Sequence, residues 1–162
     1  MKMKRKLIIT ATLLCVTLLV PLSLFSQENI LMSGTELISY KGNAANVTIP
    51  AGVTAIGYRA FEDSRGLTNI NIPSSVTSIG VGAFSGCVSL SVINIPRSVT
   101  SIGNFAFIWC FSLKSIIIPS SVISIGNNAF LGCDNLRTVT VSRRTRIGEN
   151  AFPANTQITY SD

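Results

Sequence analysis

The sequence predicts a mainly β solenoid of about five coils, because one short segment recurs at a fixed spacing along most of its 162 residues. The recurring segment is Ile-Gly-x-x-Ala-Phe, and its glycines are Gly57, Gly80, Gly103, Gly126 and Gly148. The steps between these glycines are 23, 23, 23 and 22 residues. Each copy also contains an alternating run of β-branched residues, which is the pattern of a strand with one buried face. Coils of equal length are expected to stack, because neighbouring coils then share one apolar core.

Each full coil begins with Leu-x-x-Ile-x-Ile or its valine-containing equivalent, at Leu67, Leu90, Leu113 and Leu136. The fourth and sixth residues of this segment are expected to point inward and the fifth outward, because side chains alternate across a strand. A proline follows the segment in three copies, where it ends the strand. A repeat of about 20–29 residues built in this way is typical of a leucine-rich-repeat solenoid with short parallel strands on one face.

The second half of each coil is expected to form the opposite wall. Its Val and Ile, such as Val76 and Ile79, predict a second strand or extended segment. The glycine that follows, such as Gly80, permits either a positive φ or a close backbone approach at the corner. The Ala-Phe pair beyond the glycine is expected to close the coil through a short 3₁₀ turn.

Both ends of the predicted solenoid, residues 37–160, depart from the repeat. Leu37 to Ile49 is interpreted as a degenerate first coil, and residues 27–36 as a flexible leader before it. In the fifth copy Ser142 replaces the proline and one residue is missing, so this copy is interpreted as a carboxy-terminal cap. A last strand is predicted at Ile158 to Tyr160. Terminal coils are expected to be atypical because they shield one end of the core from water.

Residues 1–26 predict a secretory signal peptide. Lys2, Lys4, Arg5 and Lys6 precede a long apolar run that Pro21 interrupts. An uncleaved membrane anchor is the alternative, because 19 residues between Leu7 and Phe25 carry no charge. Either reading exports the chain, so that it is secreted or displayed at the cell surface.

The charge of the chain argues against a nucleic-acid partner. Four of its 13 basic residues lie in the signal segment, which leaves nine against seven acidic residues. This small excess lacks the clustered basic face of a nucleic-acid-binding protein. The sequence also predicts no enzyme and no cofactor, since it has no histidine and no Gly-x-Ser-x-Gly elbow. The membrane is expected to be contacted only through the export signal.

Cys87, Cys110 and Cys133 recur at the repeat period. The favoured interpretation is a ladder of buried, small apolar side chains. A disulfide between two neighbouring coils is the alternative, because export permits one. A zinc site is disfavoured, since the chain has no histidine and no closely paired cysteines.

The complete repeat pattern, C-x-x-L-x-x-I-x-I-P-x-S-V-x-x-I-G-x-x-A-F, closely resembles the BspA-like leucine-rich-repeat family of secreted and cell-surface proteins. The resemblance covers about Leu37 to Tyr160. It implies an adhesin-like module without catalytic residues, which binds a protein or a glycan on a host or bacterial surface. The alternative is a structural element that assembles with itself or into a larger surface layer.

The turn of the third coil is unusually apolar, which predicts a partner-binding strip. By register the strip also includes residues of the second and fourth coils. The predicted strip consists of Val88, Phe105, Ile108, Trp109, Phe111 and Leu131.

A second hypothesis concerns basic residues near the carboxy terminus. The predicted basic patch consists of Lys114, Arg137, Arg143, Arg144 and Arg146. One interpretation is a charged end that blocks further stacking of strands. The other is a site for an acidic partner, such as a sulfated glycan or an anionic cell-surface polymer.

Overall fold

The structure is a computed structural model that describes residues 29–161, and the regular secondary structure in this range is β-strand. The predicted signal peptide, residues 1–26, lies outside the described range. Thirteen strands lie within it: β1 Ile30–Ser33, β2 Glu36–Tyr40, β3 Asn46–Thr48, β4 Ala55–Ile56, β5 Asn69–Asn71, β6 Ser78–Ile79, β7 Val92–Ile93, β8 Ser101–Ile102, β9 Ser115–Ile117, β10 Ser124–Ile125, β11 Thr138–Ser142, β12 Arg146–Ile147 and β13 Gln157–Ser161.

The strands form two walls, between which the chain alternates. The first, here called the strand wall, consists of two three-stranded sheets, β3-β5-β7 and β9-β11-β13. The second wall is one seven-stranded sheet in the order β1-β2-β4-β6-β8-β10-β12. All pairings are parallel except that of β1 with β2. This arrangement confirms the predicted solenoid, in which each coil contributes one strand to each wall.

A column of aromatic rings runs through the core. Tyr40 stands at one end, and its members lie 4.9–5.2 Å from their neighbours between ring centroids. Its remaining members are Phe61, Phe84, Phe107, Phe130 and Phe152. The separation matches the spacing of about 4.8 Å between hydrogen-bonded strands. The column is therefore a direct result of one phenylalanine recurring at the same point of every coil.

The recurring glycine provides a close approach between coils rather than a positive φ. An ideal Cβ on Gly80 would lie 2.8 Å from the carbonyl carbon of Gly57, and one on Gly103 would lie 2.7 Å from that of Gly80. Neither glycine has a positive φ. Of the two sequence interpretations, close packing of one corner on the next is therefore correct, because any side chain would collide with the preceding backbone.

The predicted 3₁₀ turn is wrong for the described residues. In the second coil, the Ala83 N–H donates to Gly80 within the same coil at 3.3 Å, whereas the Phe84 N–H donates to Ala106 of the next coil at 2.7 Å. Gly82 has a φ of +63° and Gly86 a φ of +71°. A 3₁₀ helix needs consecutive residues with negative φ, so these left-handed residues interrupt it and turn alternate N–H groups towards the neighbouring coil.

The predicted flexible leader is also wrong over its described part. Strands β1 and β2 form an antiparallel hairpin around Gly34, whose φ is +61°. Leu37 lies opposite Ile56 in the second wall, so it does not begin a degenerate coil on the strand wall. The hairpin covers the edge that β4 would otherwise expose. The 23-residue pattern does not predict this element because an antiparallel hairpin lies outside the repeat.

At the other end, the clipped fifth coil is followed by one further strand. Strand β13 contains the predicted last strand and pairs with β11 over five residues. Thr145 takes the inward position that Val122 holds one coil earlier, and its hydroxyl donates to the Val122 carbonyl oxygen at 2.7 Å. A polar side chain is tolerated there because its hydrogen bond is satisfied.

Phe107→Ala should lower the free energy of unfolding by about 3–5 kcal/mol, because it removes a fully buried ring between two stacked neighbours. Urea unfolding measures the change. Phe111→Ala is the matched control, since Phe111 lies in the same coil but is exposed, and it should cost about 1 kcal/mol or less. Equal costs for the two variants would contradict the ring column as a stabilising element.

Candidate partner-binding surface

The turn of the third coil carries an exposed group of large apolar side chains. Phe105 and Phe111 are each 40% exposed, and Trp109 is 52% exposed. Leu131, on the next coil, is 41% exposed. These four residues are called the aromatic ridge below. Large apolar side chains that cluster at the surface are typical of interaction sites.

Two residues of the ridge adopt a left-handed backbone conformation, which is unfavourable for aromatic residues. Phe105 has a φ of +57° and Trp109 a φ of +62°. The left-handed region costs a residue other than glycine roughly 1–2 kcal/mol. The adjacent coils place glycine or asparagine at the same positions, Gly82 and Gly86 in the second coil and Asn128 and Gly132 in the fourth, whereas the first coil places Arg59 and Asp63 there with positive φ. The fold therefore does not require aromatic residues there.

The Trp109 indole lies against the backbone of the following coil. An ideal Cβ on Gly132 would lie 3.2 Å from the indole nitrogen of Trp109. Gly132, with a φ of +73°, thus leaves room for the ring, and any side chain at this position would displace it. One side of the indole is supported by the fold while half of the side chain stays exposed.

The ridge is narrower than the predicted strip. Ile108 is only 8% exposed, and Val88 is half-buried. The Ile108 carbonyl oxygen accepts the Gly86 N–H at 2.9 Å, which ties Ile108 into the contact between the second and third coils. The prediction that Ile108 points outward is therefore wrong, because the register of the repeat alone does not show how closely neighbouring turns pack.

The chemistry of this edge changes from coil to coil. In the first coil Arg59 pairs with Glu62 at 3.3 Å, and Arg65 pairs with Asp63 at 3.5 Å. In the third coil none of residues 104–112 carries a charge. One edge of the solenoid therefore carries a charged turn in the first coil and an uncharged aromatic turn in the third.

The predicted basic patch separates into two groups. Lys114 and Arg137 lie side by side where β9 and β11 begin, and the Arg137 N–H donates to the Lys114 carbonyl oxygen at 2.8 Å. Arg143 and Arg144 follow the other end of β11, and Arg146 begins β12 of the second wall. Six residues of extended chain span about 20 Å, so no compact ligand contacts both groups.

Arg97 is a basic residue that the sequence analysis missed. It follows Pro96 as Arg143 follows Ser142, and the two turns are closed by equivalent bonds from Val99 to Pro96 and from Thr145 to Ser142, both 3.0 Å long. The signal that reveals it is the repeat itself, because Ser120 and Arg143 follow Arg97 at successive steps of 23 residues.

The part of the chain that the structure describes shows no cluster of three or more potential metal ligands. Over residues 29–161 no helix is long and apolar enough to span a bilayer.

Comparison with known proteins extends the repeat assignment. The sequence model of the BspA type leucine-rich repeat region matches residues 34–159 with six copies. The chain belongs to the BspA-type leucine-rich repeat family. No curated protein sequence matches it.

Several solved structures of leucine-rich repeat proteins are similar to this BspA-type chain. A leucine-rich cell surface protein from Faecalibacterium prausnitzii is 33% identical with a TM-score of 0.78, over 85% of this chain and 39% of that one. A leucine-rich repeat protein from Bacteroides ovatus is 34% identical with a TM-score of 0.71, over 83% and 38%. One from T. pallidum is 31% identical with a TM-score of 0.71, over 74% and 59%. The chain therefore spans less than two thirds of each.

The cysteines of the BspA-type repeat form the predicted buried ladder and no disulfide. Cys87, Cys110 and Cys133 are free and fully buried. Each thiol donates to a phenylalanine carbonyl of the preceding coil over 3.0–3.3 Å. Burial raises the pKa of Cys87 to about 12. A hydrogen bond with Cys133, followed by burial, raises the pKa of Cys110. Thiols with raised pKa are poor nucleophiles.

Iodoacetamide at pH 8 should leave these three cysteines unmodified in the folded protein, because all three are fully buried and the pKa values of Cys87 and Cys110 are raised. All three should react in about 6–8 M urea, a concentration that unfolds most small domains. Mass spectrometry of the peptides reports each cysteine separately. Modification of Cys87 in the folded protein at the rate of the unfolded one would contradict the buried ladder.

Proposed function

We propose that the protein is an exported interaction module that binds a protein partner through the aromatic ridge. The observation that carries the proposal is the left-handed backbone of Phe105 and Trp109 at exposed positions. Neighbouring coils fulfil the same structural role with glycine or asparagine, which fit this conformation better. Residues that are unfavourable for the fold and exposed to solvent are best explained by a role outside it.

The composition of the ridge supports a protein partner. Tryptophan is enriched among residues that dominate interface energies, and such residues lie within apolar surroundings that exclude water. The Trp109 indole is supported from below at Gly132, so its position is restricted before binding. Restricting a side chain in advance lowers the entropy lost on association. Phe105, Phe111 and Leu131 would supply the apolar surroundings.

The proposed location is the outside of the cell. The F. prausnitzii relative is described as a cell surface protein. The basic and apolar segment at residues 1–26 is the signal that would export this chain. Binding there would be non-catalytic and adhesin-like, with contacts spread over the outer surface of several coils.

The test replaces the ridge by residues that the second coil uses at the same positions: Phe105→Gly, Trp109→Gly and Phe111→Val. This triple variant should remain folded, because Gly82, Gly86 and Val88 already serve one coil earlier. Surface proteins captured from host or bacterial cells on the immobilised protein should fall by about 30-fold, which corresponds to about 2 kcal/mol from one interface hot spot.

Ile123→Thr is the matched control for this experiment. Ile123 is an exposed apolar residue away from the ridge, and Thr100 holds its position one coil earlier. Capture should be unchanged in this variant. Equal capture by the wild-type protein and the folded triple variant would reject the ridge as the binding site. Loss of captured glycan rather than protein would reject the class of partner.

An assembly element is the second candidate, and the open edge of β13 favours it. Strand β13 pairs with β11 on one side, and no strand of the described residues pairs with its other side. An unpaired edge is a template for pairing with another chain.

If the protein assembles through β13, sedimentation should show polymers that grow with protein concentration. Thr159→Lys should then abolish them, because Thr159 is exposed on this edge and a charge there opposes pairing. A single monomeric species across the concentration range would reject assembly and leave the interaction module as the function.

A further inference from the structure

The strand wall is interrupted between the second and third coils, whereas the second wall is continuous there. Strands β3, β5 and β7 form one sheet and β9, β11 and β13 form another, and no ladder joins β7 to β9 in the described part of the chain. In the second wall the same two coils pair through β6 and β8, where Ser78 lies opposite Ser101. The two coils are therefore joined through one wall and not through the other.

The end of the second-coil strand lacks a backbone hydrogen bond that other coils form. The Ile49 N–H donates to the Asn71 carbonyl oxygen at 3.0 Å, and the Ile118 N–H donates to that of Thr140 at 2.8 Å. The Ile95 N–H holds the equivalent position, since all three isoleucines directly precede a proline. Among the described residues, however, no carbonyl of the third coil accepts this N–H.

The beginning of the strand shows the same loss. The Ser91 N–H donates to the Thr68 carbonyl oxygen at 3.1 Å, and the Arg137 N–H donates to that of Lys114 at 2.8 Å. The Lys114 N–H is equivalent to these two donors, but it donates to no backbone carbonyl of residues 29–161. Bonds are thus missing at both ends of the contact, so the interruption extends over the whole length of the strand.

The remaining contacts between the second and third coils are intact. The Gly103 N–H donates to the Ile79 carbonyl oxygen at 2.8 Å, and the Phe84 N–H donates to that of Ala106 at 2.7 Å. The rings of Phe84 and Phe107 stack with their centroids 5.2 Å apart. The second wall and the ring column therefore form a continuous line about which the strand wall can open.

The core is less well covered at the interruption than elsewhere on this wall. Ile93, the inward residue of β7, is 8% exposed, whereas the equivalent Ile70 and Ile116 are 2% and 3% exposed. An open depression of about 560 Å³ also lies here, and its lining includes Asn94 of the second coil and Ile117 of the third. The apolar interior therefore comes nearest to solvent where the ladder is absent.

We propose that this interruption is a hinge. The coils up to β7 form one block and the coils from β9 onwards form the other, and the blocks separate on the strand wall while the second wall keeps them joined. Opening here breaks no ladder of the strand wall, whereas opening between any other two strands of its two sheets breaks one. Local opening is easiest where the fewest such bonds are lost. The inference goes beyond the proposed function, since it concerns the motion of the solenoid whatever the aromatic ridge binds.

Amide hydrogen exchange, measured by NMR on the purified protein, tests the interruption first. The protection factors of the Ile95 and Lys114 amides should be about tenfold or more below those of Ile118 and Arg137, because only the latter pair has the hydrogen bond between coils. The Gly103 amide should be as protected as the other glycine amides of its corner, since the second wall is continuous. Equal protection of the two pairs would overturn the hinge.

The opening motion is measured separately, by the reactivity of a thiol placed in the core. Ile93→Cys and Ile70→Cys make the same change at equivalent inward positions, the first beside the interruption and the second between two paired strands.

In the folded protein, iodoacetamide should modify the Ile93→Cys thiol about tenfold or more faster than the Ile70→Cys thiol, because opening at the hinge breaks fewer hydrogen bonds. Urea unfolding confirms that the two variants are comparably stable, and the buried native cysteines serve as the internal control. Equal rates in the two variants would contradict the hinge. A rate for Ile93→Cys close to that in urea would contradict it as well, because the thiol would then be exposed without any opening.

Discussion

The spacing between neighbouring coils constrains every other feature of this structure. Parallel strands hydrogen-bond only at about 4.8 Å, so every atom of a coil lies near its counterpart in the preceding one. Hydroxyl groups also link neighbouring coils, since those of Thr77 and Thr100 donate to carbonyl oxygens of the preceding coil at 3.1 and 3.2 Å. The Asn104 side chain likewise accepts the Asn127 N–H at 2.8 Å. A residue at an inward position is therefore fixed by the same residue above and below it.

The same constraint acts on the inward positions, so the outward positions can vary for function. A side chain there has no counterpart that it must match, so differences between coils accumulate at the surface. The aromatic ridge is a departure of this kind. At Phe105 and Trp109 the departure opposes the backbone as well, because these residues adopt a conformation that glycine or asparagine favours. The strand wall is itself interrupted, because β7 and β9 belong to separate sheets.

The two ends of the solenoid differ in structure. At the amino-terminal end the antiparallel hairpin of β1 and β2 covers the second wall, and the Tyr40 hydroxyl accepts the Ala44 N–H at 3.1 Å. At the other end β13 continues the parallel strand wall, and Phe152 is only half-buried as the last ring of the column. The first end is therefore closed in its wall, whereas the second retains the geometry of a coil that another strand would extend.

The amino-acid pattern by itself determined the length of the coil, the inward residues of the strands and the position of the glycine corner. These features repeat because local side-chain alternation and a fixed period suffice to specify them. Only the tertiary structure decided that residues 30–40 form a hairpin and that Ile108 is buried. It likewise separated the predicted basic residues into two groups. Each of these features depends on how one backbone packs against the next, and that contact is made between residues far apart in the chain.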